Sequence, residues 1–585
     1  MKNFMLRISI ALAMLCSAVT AFSAGYSGTL PVIFINTENN TPITSKENYL
    51  LGAYWLDPMG NPDFEAIGSE ASPLPLQIRG RGNYSWWGFD KKPYRLKLDK
   101  KAALLGMDSS KHFALLAHAD DPYGFLRNPV GFQLSRLIGM KWTPADKPVE
   151  LVLNGSYEGI YFLTETIRVA KDRVNIVEQP DEATDPEVIT GGWLVEIDNY
   201  DTDPHVTVRE DNDNDIIFTY KTPEILSQQQ EQFLYNQMNT INGKIYSADK
   251  NLCSWAEEVN LEELAKFYIV QELMDNYESF HGSCYLYRQQ GQDEQWYFGP
   301  VWDFGSSLNE DKTRPIYEGR QWHNTWIEEM CKFPEFMDVV RQTWADFYNS
   351  NFNEIYPYIA SYVNNIRSGA EADAKRWPQY GNADINIDMQ TVVGRIRSAA
   401  SYLNKVWKIE TPADDYKVDV YFRNTRNWEK VYAYLWGYPG GDLKVYTGGG
   451  WPGTEIAPVE HNGETLWHFT MTIPENETAG SYQIIFNNGS GGDDNQTADL
   501  DFINNSIYDF NGYQEPSAVA AVSDDSGFSV AVNGNSVTVT SNEPRRIEIA
   551  NLAGSFRVMD IAEGQTVFSL PQGFYIIGGV KVIVR

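Results

Sequence analysis

Basic residues, cysteines and long apolar runs are all scarce in this chain, and each shortage excludes something. Lys and Arg number 47 against 78 Asp and Glu, a formal net charge of −31. That balance repels nucleic acid and anionic membrane surfaces, apart from any local basic patch. No segment is apolar over the ~20 residues that a spanning helix needs, so no membrane span is expected. Of four cysteines, three lie beyond the N-terminal segment: Cys253, Cys284 and Cys331. An odd count allows at most one intrachain bridge and the spacing matches no zinc site, so structural thiols, or one bridge, are expected. The HExxH zinc motif, the GxSxG nucleophile elbow, a P-loop lysine motif and a complete GxGxxG are absent from the sequence. There is no sustained repeat, heptad pattern or low-complexity tract.

Aromatic residues, by contrast, make up 14% of the chain, with 17 Trp and 34 Tyr. Disordered chains are poor in aromatics, so this is a folded protein with β-rich or ligand-stacking surfaces. At 585 residues and roughly 150 per domain, about three or four domains are expected. Lys2 and Arg7, the apolar residues 8–19, and the small residues Ala21, Ser23 and Ala24 read as an export signal cleaved near Ala24. The mature protein is therefore expected to be secreted or displayed at the cell surface.

Three units follow that signal at 1–24. The first, 25–410, mixes strands and helices. Tyr94, Leu96 and Leu98 alternate with Arg95 and Lys97, and two apolar runs flank Asn154-Gly155, a hairpin signal. Residues 261–275 are helical in composition, and Val392, Ile396, Ala399, Leu403 and Trp407 form a closing helical stripe. A polar linker at 410–415 leads to an all-β unit, 416–511, of short aromatic strands broken by Gly and Asn turns. A second linker, 512–525, precedes a small all-β unit at 526–585.

Residues 79–111 concentrate nine Lys and Arg against three Asp. With Gly80 and Gly82 flanking Arg81, the segment reads either as a phosphate cradle or as a solvated strand face. Downstream, Glu278 follows a helix and Asp303 sits in an Asp-Phe-Gly turn. Such carboxylates can divide phosphoryl transfer, one taking a hydroxyl proton and the other holding a divalent ion. Helix-end and turn chemistry explains them equally, and paired carboxylates also suit glycoside hydrolysis. Asp211, Asp213 and Asp215 resemble a calcium loop, but Ile216 and Thr222 break its pattern, which leaves an acidic hairpin loop.

The blocks QIRGRGNYSW (77–86), KKPYRLKL (91–98), LLGM (104–107), FLRN (125–128) and VELVLNGSYEG (149–159) continue through Thr164-Glu165, GGWLVEID (191–198) and GPVWDF (299–304). In this order they resemble the CotH kinase family, named for a spore-coat protein. The resemblance implies an α+β atypical protein-kinase-like domain that binds ATP with Mg²⁺ or Mn²⁺ and phosphorylates protein hydroxyls. Carried over by position, Asp303 is the metal ligand and Glu278 the catalytic carboxylate. Arg81, Lys92 and Lys97 are candidates for phosphate contact, with Glu165 and Glu196 as candidate supporting carboxylates. Two departures stand out: Glu278 where the family usually has Asp, and Gly305 in place of a second Asp.

In the second unit Tyr432, Tyr434 and Trp436 share one face of a strand, as flat rings that stack on sugars do, or as a core-facing stripe does. With VYFRN (420–424), Trp428, WPG (451–453), FNNG (486–489), Gln496 and Thr497, the unit resembles family 26 starch-binding modules. That implies an all-β sandwich binding starch or a related α-glucan through Tyr432, Tyr434, Trp436 and Trp451. LPQGFYII (570–577) and VKVIVR (580–585) resemble the C-terminal sorting domains of type IX secretion substrates in Bacteroidota. The leading expectation is a secreted, starch-targeted CotH-type kinase. The alternatives are a non-catalytic surface glycan-binding protein on a degenerate kinase-like scaffold, and a glycoside hydrolase.

Overall fold

The computed structural model describes residues 25–584 except 120–122, 124, 199, 201, 210–214, 292–293, 319–324, 381–383, 409–415, 438–442, 448–449, 462, 474–481, 493, 505, 511, 517–527, 534–535, 543–544, 552–555, 562–563, 571–572 and 578–579. The export segment, the first linker and the core of the acidic hairpin loop lie outside the described residues. The chain divides into two compact units, Met1–Ile355 with Tyr362–Ala399, and Tyr356–Ser361 with Ala400–Arg585.

Seven strands of the first unit close a barrel. They are β1 (Val32–Thr37), β2 (Leu50–Asp57), β3 (Leu74–Gly80), β4 (Tyr94–Ala102), β5 (Ser110–Leu116), β6 (Asp146–Leu153) and β7 (Ser156–Glu165), in the order β1-β2-β3-β4-β5-β7-β6. The closing pair, β1 with β6, is parallel. The expected alternation holds in β4: Tyr94, Leu96 and Leu98 enter the barrel core while Lys97 is exposed. Between β6 and β7, Asn154 (φ 52°) and Gly155 (φ 78°) both adopt left-handed backbone, which the tight hairpin turn requires and which Asn and Gly tolerate best. Helix α1 (Tyr84–Trp87) bridges β3 and β4, and α2 (Arg127–Leu137) lies between β5 and β6.

A second, antiparallel sheet contains β8 (Trp193–Asp198), β9 (His205–Arg209), β10 (Asp215–Thr222), β11 (Cys284–Arg288) and β12 (Trp296–Phe298), ordered β12-β11-β8-β10-β9. Helices α3 (Gln228–Ile245) and α4 (Leu261–Leu273) connect β10 to β11. The Asn260 side chain caps α4 by accepting from the Glu263 amide at 3.0 Å. Leu264, Ala265, Phe267, Tyr268, Ile269, Val270 and Leu273 are all buried, as are Glu263, Gln271 and Glu272, so α4 is enclosed around its girth and forms a core helix. Helices α5 (Thr325–Met330), α6 (Pro334–Tyr348), α7 (Ile355–Arg376) and α8 (Ile385–Trp407) follow. The α8 stripe from Val392 to Trp407 is buried as its spacing predicts. No helix among the described residues is long and apolar enough to cross a membrane. Cys253, Cys284 and Cys331 are unpaired, and burial pushes the Cys253 thiol up to about 12.

In the second unit, β13 (Tyr416–Phe422), β14 (Val431–Gly437), β15 (Lys444–Val445), β16 (Thr454–His461), β17 (Glu464–Ile473), β18 (Tyr482–Asn487), β19 (Leu500–Asp501), β20 (Ser506–Asp509) and β21 (Gly512–Pro516) form one continuous sheet. It folds over a shared core containing Val420, Phe422, Ala433, Leu435, Phe469 and Phe486. The early part of β16 pairs with β14 and the later part with β17, which turns the corner between the two layers. The linker expected from residue 512 begins later: Gly512–Pro516 is a strand paired to β20, and proline ends it at a sheet edge, where a missing amide is tolerated. The C-terminal strands, from Phe528–Asn533 to Val580–Val584, make sheets of three and four strands around Val530, Val539, Ile549 and Ile577.

One buried ion pair fastens α7 to the barrel. Lys91 Nζ meets Asp373 Oδ1 at 2.6 Å with both side chains almost fully enclosed, and the same oxygen accepts from the Ile160 amide at 2.8 Å. Burial lowers the Lys91 pKa and Asp373 opposes that shift. Removing one partner strands the other charge, at a cost of roughly 3–5 kcal/mol. Asp373→Ala is therefore expected to lose about that much in denaturant unfolding. The double change Lys91→Met with Asp373→Leu is expected to recover most of it.

Candidate functional site

A cleft of about 940 Å³ opens in the first unit, at the upper end of the ~300–1,000 Å³ typical of ligand pockets. It is lined by the turn leading into α1, the end of β5, strands β8, β10 and β11, the segment after α4, and the loop after β12. Arg81, Glu196, Glu278 and Asp303, four of the residues singled out from sequence, share this cleft. The other three stand elsewhere. Lys92 donates to the Trp86 carbonyl at 2.6 Å, fastening the end of α1. Lys97 is exposed on β4 opposite His112. Glu165 is buried, accepts from the Ala145 amide at 2.9 Å and faces Arg173 Nε at 3.7 Å. The basic density of 79–111 is thus split by strand alternation and local capping, and among its lysines and arginines Arg81 lines the cleft.

Two loops carry the central carboxylates, and side-chain amides fix both. Asn276 Nδ2 donates to the Asp303 carbonyl at 3.1 Å and to Gln271 Oε1 at 3.0 Å. The Phe304 amide donates to Asn128 Oδ1 at 3.0 Å, and an Arg127 guanidinium nitrogen donates to the Gly305 carbonyl. A β-carbon added at Gly131 on α2 would sit 2.3 Å from the Phe304 ring, so only glycine lets the loop lie this close. Asp303 itself has φ 57°, a left-handed conformation that costs a non-glycine residue about 1 kcal/mol or more. Burial raises the Glu278 carboxyl above its ordinary range. A Ser306 hydroxyl bond opposes that rise, and the charge of Asp303 adds to it.

Sequence reasoning missed Lys221. Its Nζ lies 2.9 Å from Glu196, 3.5 Å from Asp203 and 4.0 Å from Asp198. The register between β10 and β8 shifts between Tyr220 and Thr222, leaving Lys221 as the bulged residue, and bulges re-aim side chains in a way no alternation pattern announces. Burial lifts Glu196 to about 7 against the pull of Lys221, with Asp198 adding to the rise. Burial works against the charge of Lys221 too, but Glu196 and its neighbours outweigh it and raise its pKa. Of the two, Lys221 keeps its proton, because three carboxylates face it.

His118 was also missed. Asn128 Oδ1 is committed to the Phe304 amide, so Nδ2 of the same side chain faces His118 Nδ1 at 3.4 Å. Nδ1 is then the acceptor and Nε2 carries the proton. That buried Nε2–H, in a residue that lines the cleft, has no partner among the described residues, a donor suited to a bound ligand. Glu196, Asp198, Asp203, Glu278 and Asp303 face Arg81 and Lys221 among the described lining residues, so the cleft is acidic. No group of three or more His, Cys, Asp or Glu stands ready to hold a metal among the described residues. The oxygen donors of Asp303 still fit Mg²⁺ or Mn²⁺, because a nucleotide-bound ion takes only one or two carboxylates from protein and the rest from phosphate and water.

On β14 of the second unit, Val431, Ala433 and Leu435 are fully buried while Tyr432, Tyr434 and Trp436 face outward and are partly exposed. Tyr434 lies 5.4 Å from Trp436 and 5.5 Å from Trp451 between ring centroids, and Trp451 is 42% exposed. Tyr432 instead spends its hydroxyl on Glu455 at 3.0 Å. The stripe is therefore an outer platform backed by core, with Tyr434 joining the two tryptophans.

A family model described as CotH kinase protein matches residues 77–435, more than half of the chain. One described as Starch-binding module 26 matches residues 420–502. The first match leaves out β1 and β2, which complete the barrel, and runs into β13 and β14 of the sandwich. No curated protein matches the chain.

Burial, and then the positive charges of Lys91, Arg81 and Arg127, push His118 down to about 3. Unfolded histidine titrates near 6.5, so the neutral ring's contribution to stability is complete above about pH 6.5 and is lost as pH falls toward 3. At pH 5 the loss from this one group is about 2 kcal/mol. Thermal melts of wild type between pH 7.5 and 4.5 are expected to show this acid limb, and His118→Gln is expected to flatten it.

Proposed function

The chain belongs to the CotH kinase protein family and carries a starch-binding module, and on that premise we propose that its cleft transfers the γ-phosphoryl group of ATP to a hydroxyl acceptor on a protein held at starch. The meeting of Asp303, Glu278, Arg81 and Lys221 in one cleft large enough for a nucleotide carries this reading. Asp303 is the residue that would hold Mg²⁺ or Mn²⁺, which supplies charge neutralisation for the triphosphate. Arg81 and Lys221 contact phosphate oxygens, Lys221 being held by its three carboxylates. Glu278, more basic for its burial, takes the acceptor proton. An acidic cleft repels a bare triphosphate, so nucleotide binding depends on the divalent ion. The atypical kinase character of the fold and protein hydroxyls as acceptors come from the family resemblance. The N-terminal segment is proposed as the export signal and the C-terminal β-unit as a sorting domain that directs surface display or release.

Calorimetric titration of ATP into the full chain, with Mg²⁺, Mn²⁺ or chelator, tests the cleft. Binding is expected with either metal, and is expected to disappear with chelator and in Asp303→Ala. Absence of binding by folded protein under every metal condition would leave a glycan-binding protein on a kinase-derived scaffold, the reading that Glu278 for Asp and Gly305 for a second Asp favour. On insoluble starch, Tyr434→Ala and Trp436→Ala are each expected to weaken retention by about 1–3 kcal/mol, the range for flat-ring stacking. Unchanged retention by both folded variants would move the platform elsewhere.

A further inference from the structure

We infer that this cleft also takes a hydroxyl of the α-glucan itself as acceptor, beside the protein hydroxyls proposed above, an inference that rests on the phosphotransferase reading and adds a substrate class to it. The observation is an aromatic mouth. On α1, Tyr84 and Trp87 are 69% and 72% exposed, although large rings on a folded surface are ordinarily covered. Phe89 packs edge-on against Tyr84 at 5.3 Å and against Tyr380 at 5.6 Å. Tyr84, Phe89 and Tyr380 line the cleft that holds Glu278 and Asp303. The rings are set in place: Tyr380 Oη accepts from the Asp90 amide at 2.9 Å, and the neighbouring Trp86 is buried with Lys92 fastening its carbonyl. Rigid flat rings offer pyranose faces an apolar surface at low entropic cost. Asn83 and Gln379, also in the lining, supply amides for sugar hydroxyls.

Charge and tethering point the same way. The cleft and the chain as a whole are acidic, so an acidic acceptor is repelled, whereas an uncharged polyol meets no such penalty. A chain that carries a starch-binding module also holds glucan at the raised effective concentration of a tethered ligand. In the step itself, a glucosyl hydroxyl oxygen forms a bond to the γ-phosphorus. The bond from that phosphorus to the bridging oxygen of ATP breaks, with its electron pair leaving on ADP. The hydroxyl proton passes to the Glu278 carboxylate. The products are ADP and a glucan phosphomonoester.

The full chain is incubated with γ-labelled ATP and Mn²⁺ or Mg²⁺, with maltoheptaose or gelatinised amylopectin in one arm and with a lysine-rich histone in the other. Label is expected in the glucan, released as phosphorylated oligosaccharide by α-amylase and absent with Asp303→Ala. Tyr84→Ala and Tyr380→Ala are expected to raise KM for maltoheptaose about tenfold each, in line with a lost stacking contact, with kcat retained. Label confined to protein, or glucan label with unchanged KM in both folded variants, would overturn the inference and leave the phosphotransferase reading standing. Absence of ATP binding under every metal condition would overturn both.

Discussion

Lys312 is the residue on which the cleft geometry turns. Its side chain is buried between Glu272 at 2.5 Å and Asp275 at 2.8 Å, both at the C-terminal end of α4. A helix C-terminus disfavours negative charge, so two carboxylates there need a cation, and the cation comes from the loop that follows Asp303. Around that clamp the Ile316 amide donates to Glu272 at 3.2 Å and the Leu308 amide to the Met274 carbonyl at 2.9 Å. The segments bearing Glu278 and Asp303 are thereby locked together. Buried ionic contacts add little net stability, and their best-attested use is to fix register. Register is what a two-carboxylate site requires.

Backbone strain gathers at the same place. His118, Ser283 and Asp303 all line the cleft with φ between 50° and 57°, in a region that side chains with a β-carbon enter at a cost. Two of them are held there by side-chain amides: Asp303 by Asn276, His118 by Asn128. The core of the first unit supplies the stiffness behind them, through α4 and the close seat of Phe304 against Gly131.

Much of this was legible in the sequence wherever a single element carried the signal. The β4 alternation, the Asn154-Gly155 turn, the α8 stripe and the outward face of β14 depend on local periodicity alone, and each stands as read. Asp303, Glu278, Glu196 and Arg81 reach one cleft because each belongs to a contiguous motif. Lys221 was invisible because it occupies a bulge. His118 was invisible because its tautomer is set by an asparagine whose other end serves a distant loop. Lys92 and Lys97 misled because charge density along a chain does not survive alternation: one lysine caps a carbonyl and the next but four points to solvent. The boundary at residue 512 failed for a related reason, since a short polar strand ending in proline has a linker's composition.

Glu278, which stands where the family resemblance leads one to expect Asp, fits a division of labour with Asp303 within the proposed reaction. An extra methylene displaces a carboxylate by about 1 Å, enough to cost on the order of 100-fold in rate if the position is left uncorrected. Here the carboxyl is held by the Ser306 hydroxyl, and burial together with Asp303 raises its proton affinity. Higher proton affinity makes a carboxylate a stronger base and, because metal must compete with the proton, a weaker ligand. Asp303, fixed through its own backbone by Asn276, is on the proposed reading the better-placed of the two for the ion. Within the proposed reaction the two acids are thus separated by environment, one toward the ion and one toward the acceptor proton, in the way that paired carboxylates elsewhere acquire different tasks.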